Sequence, residues 1–338
     1  MSTAVVARLD SAGDVLITGP AVRAIAATHD RVVFLAGPRG RDAAGLLPGV
    51  DEIVEWQAPW VDFDSPELTA DHVEGLVKQL RDVAPDRVYV FTSFHQSPLP
   101  LALICRMAAV PWVGAICEDY PGTLLNLRHH VEPGLPEPVR ALSLAEAAGC
   151  ALPDGDDGRL HVRRADEVPA RVGTGPYVVF HPGAAVPARM PTAARSAAMV
   201  AALAGAGHRV VVTGSPDERA LTAEVAGDAA VDLGGCTELP TLAAVFAGAE
   251  AVVVPNTGPG HLAAAVGVPT VSLFAPVVPA AQWRPYGSDV TLLGDQDAPC
   301  RATRARSCPV AGHPCLDGIT DVELLAAVRA AAQRKERR

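Results

Sequence analysis

Short apolar runs alternate with stretches of helical spacing along the N-terminal half of the chain. The apolar runs predict strands at 4–8, 32–36, 52–56, 87–91 and 113–116, and the stretches between them predict helices at 20–28, 41–47, 68–83 and 99–109. Alternating strands and helices are typical of a parallel sheet with right-handed crossovers. The pattern therefore predicts an α/β domain.

A second series of the same kind fills the C-terminal half. Its predicted strands are 177–180, 209–213, 231–233, 251–254 and 270–274, with helices between them. The final helix begins near Thr320, which can cap it, and Glu323 stands at the matching third position of a capping box. Residues 152–176 are rich in Gly, Pro and charge, and this composition predicts a linker between the two series.

The two series together predict two Rossmann-like, doubly wound domains. We place an N-terminal domain at 1–165 and a C-terminal domain at 166–338, with the last helix as a candidate to pack back on the N-terminal domain. Tandem domains of this build bind their ligands where the carboxyl ends of the strands face each other across a cleft.

The composition favours a folded protein whose cores are built from small aliphatic residues. Of 338 residues, 49% are hydrophobic but only 4% are aromatic, so Ala, Val and Leu must fill the cores. The net charge of −10 disfavours a protein whose main partner is nucleic acid. We find no apolar run of membrane-spanning length, no secretory signal pattern and an odd number of cysteines, seven. These features predict a cytoplasmic protein with reduced thiols.

The stretch 251–274 carries more chemical information than any other. An apolar strand leads into a small-residue turn at 256–260, and a short Ala-rich helix follows from about His261. A helix N-terminus after a Gly-rich turn offers backbone N–H groups and a positive dipole end, which suit a phosphate or diphosphate. The hydroxyl of Thr257 and the ring of His261 can also donate there. A plain helix cap with a core histidine accounts for the turn chemistry almost equally well.

Two further loops follow predicted strands of the C-terminal half. Gly183 and Gly214 would let the backbone approach a ligand closely. Arg189 offers a planar fork for phosphate oxygens, and Glu218 offers an acceptor for a ribose hydroxyl. Each signal is weak alone, because glycine after a strand is common and an arginine there is equally consistent with a solvated surface cation. Jointly they predict a nucleotide-diphosphate site.

The segment after the first strand reads Arg8-Leu-Asp-Ser-Ala-Gly-Asp14. If two domains face each other, Asp14 lies at the rim of their cleft, where a carboxylate can take a proton from a sugar hydroxyl. The simpler interpretation makes Asp14 a helix N-terminal carboxylate that is favoured by the dipole. Without further context the residues favour the simpler interpretation.

Four motifs resemble those of the heptosyltransferase family, glycosyltransferase family 9. They are 8–25, beginning Arg8-Leu-Asp-Ser-Ala-Gly-Asp; His181-Pro-Gly-Ala; Thr213-Gly-Ser-Pro-Asp-Glu; and 256–276, beginning Asn256-Thr-Gly-Pro-Gly-His. They occur in family order, and the last is the most specific. The resemblance implies the GT-B fold and metal-independent, inverting transfer of a sugar from a nucleotide diphosphate, typically ADP-heptose, with no cofactor.

The resemblance also implies roles for single residues by motif position. Asp14 corresponds to the general base, Arg189 to a phosphate-binding Lys or Arg, and Glu218 to a nucleoside-contacting glutamate. The diphosphate-binding turn corresponds to Asn256, Thr257, Gly258 and His261. Asn256 departs from the Asp that usually begins this turn, and a neutral residue beside a diphosphate is compatible with binding.

In this family the N-terminal domain takes the acceptor. Polar and aromatic residues of its predicted loops are therefore the acceptor-site candidates, namely His95, Gln96, Asp119, Tyr120 and Arg128. For any one of these residues, a loop side chain that satisfies its neighbours is an equally good interpretation.

Three cysteines cluster near the C-terminus, at 300, 308 and 315, with His313 beside them. They could form a zinc knuckle, but their spacing fits no standard C-x-x-C pair, so buried thiols are the default interpretation and we predict no metal site.

The prediction is thus an inverting, metal-independent glycosyltransferase that moves a sugar, by resemblance a heptose, from a nucleotide-diphosphate donor, by resemblance ADP-linked. Its partners would be that donor and a glycan or small-molecule hydroxyl. We expect no nucleic acid, and at most peripheral membrane contact through a lipid-linked acceptor. A nucleotide-sugar epimerase of the same build and a nucleotide-sugar-binding protein without turnover are the alternatives. A dehydrogenase is disfavoured, because no Gly-x-Gly-x-x-Gly follows the first strand.

Overall fold

The computed structural model of the protein describes residues 1–61, 65–287 and 289–337. The chain divides into two compact units, Met1–His161 and Val162–Arg338. Each unit is built on one six-stranded sheet whose strand pairs are all parallel. The predicted α/β class with two doubly wound, Rossmann-like domains is therefore confirmed.

Strands and helices alternate along most of the first unit. In chain order they are β1 (Thr3–Arg8), α1 (Ala12–Ile17), α2 (Gly19–Ala26), β2 (Arg31–Ala36), α3 (Arg41–Leu46), β3 (Glu52–Glu55), α4 (Ala70–Val83), β4 (Arg87–Phe91), α5 (Leu99–Met107), β5 (Trp112–Ile116), β6 (Leu127–His129) and α6 (Glu137–Ala147).

The strand order of the first sheet fixes where a site can form. The order is β3-β2-β1-β4-β5-β6, so the chain winds outward from β1 and then returns to β4 on the other side of β1. The loops after β1 and β4 therefore diverge at a topological switch point, where doubly wound sheets bind ligands. Arg8 pairs with Phe91 across these two strands.

The second unit repeats this winding. Its elements in chain order are β7 (Val178–Phe180), α7 (Ala193–Gly205), β8 (Val210–Val212), α8 (Arg219–Ala226), β9 (Val231–Asp232), α9 (Leu239–Gly248), β10 (Ala251–Pro255), α10 (Gly258–Ala265), β11 (Thr270–Leu273), α11 (Ala280–Trp283), β12 (Val290–Leu293), α12 (Pro314–Asp317) and α13 (Asp321–Glu336). The sheet order is β12-β11-β10-β7-β8-β9, so its switch point lies between β7 and β10.

The central strands are continuous apolar runs because helices cover both faces of each sheet. Every residue of β1 and of β10 is buried. Terminal helix α13 packs on the second sheet and buries Leu324, Val328 and Ala331 in its core. The predicted cap of this helix is confirmed, since Thr320 and Glu323 form a capping box.

Several elements differ from the sequence prediction. The segment after β1 forms two helices, α1 and α2, where one was predicted. The edge strands β6 and β12 were missed because their residues are only half-buried and carry no continuous apolar run. Helix α6 was missed because it starts on a charged residue that is buried, Glu137, which breaks an amphipathic pattern.

An ion pair fastens the segment after α6 to the first unit. Arg23 on α2 has its Nε 2.6 Å from Asp156 Oδ2, and its Nη2 donates to Arg159 O at 2.8 Å. Hydrogen bonds from Arg23 are the main reason that the pKa of Asp156 falls to about 2. Both side chains are about 10% exposed, so the pair is shielded from water better than a typical surface pair.

We expect Asp156→Asn to lower the free energy of unfolding by about 2 kcal/mol at pH 7, because it leaves the largely buried Arg23 without its counter-charge. The folded-state pKa of Asp156 lies below its ordinary value of 3.8, so its contribution is present above about pH 4 and lost as pH falls towards 2. Urea unfolding at several pH values measures this difference. The exposed Asp154 provides the control Asp154→Asn, and an equal effect of both changes would contradict the assignment.

Candidate functional site

The first polar cluster lies at the switch point of the second sheet. Loops leave the carboxyl ends of β7 and β10 there, and the loop after the neighbouring β8 lies beside them. This arrangement brings His181, Gly183, Gly214 and Glu218 together.

Glu218 is the centre of this cluster. It ends a short 3₁₀ turn, Pro216–Glu218, and its Oε2 accepts the Ser215 N–H at 2.7 Å in a capping box. Its side chain remains 24% exposed. The predicted donor-site carboxylate is therefore held in place by the backbone while still reaching solvent.

The two glycines make room for Glu218. A Cβ at Gly183 would overlap the Glu218 carboxylate, and a Cβ at Gly214 would come within 2.5 Å of Thr222 Cγ2 and 3.2 Å of Glu218 Cβ. The sequence analysis predicted that these glycines let the backbone approach a ligand closely. In the structure the close approach is to side chains of the protein itself, and contact with a donor stays a prediction.

His181 is a buried residue of this cluster, and the sequence analysis assigned it no role. Its Nδ1 lies 3.0 Å from Thr213 Oγ1, and its Nε2 lies 3.9 Å from Glu218 Oε2. Burial lowers the pKa of His181 to about 4, although Glu218 opposes the shift. The imidazole is therefore neutral at pH 7. The His-Pro-Gly motif after β7 was the signal in the sequence.

The turn after β10 holds the most specific motif. Helix α10 begins at Gly258 and not near His261 as predicted, with Thr257 as its N-cap. The Thr257 N–H donates to Pro255 O at 2.9 Å, and the Gly260 N–H donates to Thr257 O at 3.0 Å. Pro259 has no N–H, so fewer backbone donors are available to an anion than the sequence suggested. His261 is buried, at 9% exposure.

Asn256 anchors this turn to the neighbouring strand. Its Oδ1 accepts the N–H of Ala275, just after β11, at 3.3 Å. Its Nδ2 is buried and has no hydrogen-bond partner among the residues that the structure describes. A buried amide without an acceptor is a group that a ligand oxygen would satisfy.

Arg189 ends a second 3₁₀ turn, Pro187–Arg189, in the loop that follows β7. Its side chain is half-buried, and the preceding Ala188 N–H donates to Arg306 O at 2.9 Å. The structure thus places Arg189 on a loop that leaves the switch point, and its contact with a phosphate stays a prediction.

A second polar cluster lies at the switch point of the first sheet, and it surrounds Arg8 at the end of β1. Arg8 is only 2% exposed. Its Nε lies 2.7 Å from Asp10 Oδ2, and its Nη2 lies 3.0 Å from both Asp14 Oδ1 and Ser93 Oγ. The cation is buried with partners from the loops after β1 and β4, as a buried charge requires.

Asp14 has both features that the sequence left as alternatives. It occupies the third position of α1 in a capping box, where its Oδ2 accepts from Ser11 Oγ at 2.7 Å and from Ser11 N at 3.3 Å. Its Oδ1 accepts from Arg8 Nη2, and its side chain is 18% exposed. A carboxylate that is oriented by several donors and still partly exposed is suited to act as a general base.

Helix α6 adds a buried carboxylate, Glu137, and a half-buried guanidinium, Arg140, to this cluster. Glu137 is 2% exposed, and its Oε2 lies 3.5 Å from Arg140 Nη1. Arg140 Nη1 also donates to Thr92 O, after β4, at 2.9 Å. Burial raises the pKa of Glu137, while Arg140 and Arg8 oppose that shift. The sequence did not suggest these residues, because α6 itself was missed.

The acceptor candidates lie in different surroundings. Gln96 contacts the Arg8 cluster, since its Nε2 donates to Asp10 Oδ1 at 2.6 Å, and Asp119 accepts from Ser97 Oγ at 3.2 Å. His95 and Tyr120 are exposed, Tyr120 at 86%. Arg128 lies on β6 and not in a loop as predicted, and its guanidinium donates to the carbonyls of Cys117 and Glu118.

The fold matches solved glycosyltransferases of GT-B architecture over its whole length. The ADP-heptose LPS heptosyltransferase II of E. coli superposes with a TM-score of 0.75 and 20% identity, covering 99% of this chain and 100% of that chain. The predicted GT-B fold is therefore confirmed.

The family follows from sequence. The model of glycosyltransferase family 9 (heptosyltransferase) matches residues 73–313, which is more than half of the chain, so the protein belongs to this family. Arg8 and Asp14 lie outside the matched range. Their roles therefore do not follow from that match.

Two curated relatives match parts of the chain. Lipopolysaccharide heptosyltransferase 1 of Pseudomonas aeruginosa is 43% identical over 100 residues, which are 28% of this chain and 26% of that protein. Lipopolysaccharide heptosyltransferase 3 of Escherichia coli is 31% identical over 140 residues, which are 39% of this chain and 41% of that protein. The matches thus span less than half of the length of each relative.

The cysteine cluster is mostly interior. Cys300 and Cys315 are each 2% exposed, and burial raises the pKa of the Cys315 thiol to about 12. Among the described residues, no group of three or more His, Cys, Asp or Glu could hold a metal ion. The dodecameric TibC of enterotoxigenic E. coli, 15% identical with a TM-score of 0.58 over 99% of this chain and 76% of that chain, is an iron-containing glycosyltransferase.

We expect Gly183→Ala to lower the free energy of unfolding by about 1–2 kcal/mol, because the methyl group displaces the Glu218 carboxylate from its cap. In a Glu218→Ala background the same change should have little effect, and a double-mutant cycle from urea unfolding measures this coupling. Gly205→Ala is the control, since a Cβ there meets nothing within 4 Å. Equal effects of Gly183→Ala in both backgrounds would disprove the contact.

Proposed function

We propose that the protein transfers a heptose from an ADP-linked donor to a hydroxyl of a glycan or small-molecule acceptor, with inversion at the anomeric carbon. The observation that carries this proposal is Asp14, a partly exposed carboxylate that Arg8 and Ser11 orient at a switch point, in a chain of glycosyltransferase family 9. The donor is proposed because the E. coli structural neighbour is an ADP-heptose enzyme.

The second unit supplies the donor site in this proposal. The helix N-terminus at Gly258, the buried Asn256 amide and Arg189 would neutralise the diphosphate as it leaves. Glu218 would accept hydrogen bonds from the ribose, and Gly183 and Gly214 leave room for its side chain. Stabilising the leaving group would be the largest contribution to the rate.

The first unit supplies the base and the acceptor site. Asp14 would take the proton from the acceptor hydroxyl as that oxygen attacks the anomeric carbon, and the bond to the diphosphate would break on the opposite face. His95, Gln96, Asp119, Tyr120 and Arg128 are the residues proposed to bind the acceptor. Neutral His181 is a structural support for Glu218, since it packs against that carboxylate without a positive charge of its own.

We further propose the cytoplasm as the place of this reaction. All seven cysteines are free thiols, which agrees with a reducing compartment. No helix in the described ranges has both the length and the apolarity to cross a bilayer. Any membrane contact would be peripheral and would come from a lipid-linked acceptor.

The reaction is tested by incubating the protein with ADP-heptose and a panel of hydroxyl acceptors, and by measuring ADP release and product mass. Transfer that requires both substrates supports the proposal. Conversion of the donor without an acceptor would point instead to an epimerase, and tight binding without conversion would point to a binding protein. UDP-, GDP- and dTDP-sugars run in parallel test the choice of nucleotide.

For Asp14→Asn we expect kcat to fall about 10²–10⁴-fold, the usual contribution of a general base, with donor affinity unchanged within about twofold. Steady-state kinetics and calorimetry measure the two quantities. Asp42→Asn is a matched control, because Asp42 also stands in the first turn of a helix but is exposed. A parallel loss of turnover and donor affinity in Asp14→Asn would argue against the base role.

We also propose that transfer needs no metal ion. Treatment with EDTA should leave activity unchanged within about twofold, because protein cations neutralise the diphosphate in this mechanism. Metal analysis of the purified protein checks that no metal ion remains after the treatment. Activity lost on chelation and restored by iron or another metal would overturn this part of the proposal and would direct attention to Cys300, Cys308 and Cys315.

A further inference from the structure

Arg8 shares its guanidinium between two carboxylates, and the one without an assigned role is Asp10. The Nε of Arg8 lies 2.7 Å from Asp10 Oδ2, while Nη2 lies 3.0 Å from Asp14 Oδ1. The Asp10 side chain is 8% exposed and the Asp14 side chain is 18% exposed. Asp10 is therefore the deeper of the two acids, and Asp14 is the one that a substrate can reach more easily.

Asp10 helps to set the direction of Arg8. The guanidinium is planar and rigid, so an ion pair at Nε also limits where Nη2 can point, although Nε and Asp10 Oδ2 do not have hydrogen-bond geometry. The other oxygen of Asp10, Oδ1, accepts from Gln96 Nε2 at 2.6 Å. One oxygen of Asp10 is thus hydrogen-bonded to Gln96, and the other lies in ion-pair contact with Arg8 Nε.

Asp10 also changes the charge that Asp14 experiences. A single cation next to a carboxylate lowers its pKa by roughly 1–3 units, which makes it a weaker base. A second carboxylate on the same guanidinium offsets this effect. Arg39, Glu137 and Arg140 also act on the cluster, but Asp10 is the acid in contact with Arg8 Nε.

We propose that Asp10 is a positioning residue for the base: it holds Arg8 against Asp14 and offsets the charge of that guanidinium, so that Asp14 accepts a proton more readily. This inference rests on the proposed function, in which Asp14 is the general base. It assigns Asp10 no contact with the substrate.

The test compares Asp10→Asn with the unchanged enzyme in a pH profile of kcat. Asparagine keeps the size of the side chain and removes its charge, so Arg8 then favours ionised Asp14 more strongly. Activity requires ionised Asp14, and the low-pH limb of the profile should therefore move down by about one pH unit. Because a weaker base transfers protons more slowly, kcat on the plateau should fall about threefold to tenfold. The donor KM should stay within about twofold.

Asp86→Asn is the matched control. Asp86 Oδ2 accepts the Thr3 N–H at 2.7 Å, at the opposite end of β1. This change also converts a hydrogen-bonded aspartate to asparagine, but far from Arg8 along the strand. Its pH profile should match that of the unchanged enzyme.

The outcomes separate this inference from the proposed function. An active Asp14→Asn enzyme would overturn the proposed base, whatever Asp10 does. If Asp14→Asn is inactive and Asp10→Asn has an unshifted low-pH limb, with or without reduced kcat, then Asp10 has at most a structural role and the inference is overturned.

A measurement on the unchanged protein covers the case in which Asp10→Asn does not fold. Carboxyl ¹³C NMR of aspartate-labelled protein follows the titration of Asp10 and Asp14. Two acids on one guanidinium should titrate as a coupled pair, so the Asp14 signal should show a second step at the pH where Asp10 titrates. Independent single-step curves would overturn the inference.

Discussion

The buried guanidinium of Arg8 is the interaction on which the first unit depends. A cation that is 2% exposed is stable only if acceptors surround it, and these come from the loops after β1 and β4. Arg8 therefore joins the two loops that diverge at the switch point. The same contacts orient Asp14, so a requirement of folding and the placement of a reactive carboxylate are met by one side chain.

The second constraint is topological. Both sheets wind in the same order, and each therefore has one place where neighbouring loops diverge, after β1 and β4 and after β7 and β10. The chain fills the two places with different chemistry. The first contains buried acids and guanidiniums, and the second contains glycines, a neutral histidine and a helix N-terminus. The two sheets thus share one strand order and carry different polar clusters, because function depends on the side chains and not on the topology.

The sequence predicted the winding well and the clusters only in part. Strand β4 was placed at its observed bounds because a parallel strand is a continuous apolar run with an abrupt end. Asp14, Glu218 and the β10 turn were found because they lie in local motifs. Ser93 and Glu137 were not found, since they meet Arg8 and its partners only after folding, from positions 85 and 129 residues away. Periodicity contains no information about such pairings.

The packing of Glu218 into the space left by Gly183 and Gly214 has a consequence for evolution and engineering. A larger residue at position 183 is compatible only with a smaller or displaced side chain at 218, and a larger residue at position 214 also requires that Thr222 moves. Libraries that vary these positions singly would miss combinations in which one side chain makes room for another. Variants of this edge of the sheet should therefore be sought by randomising positions 183, 214, 218 and 222 together.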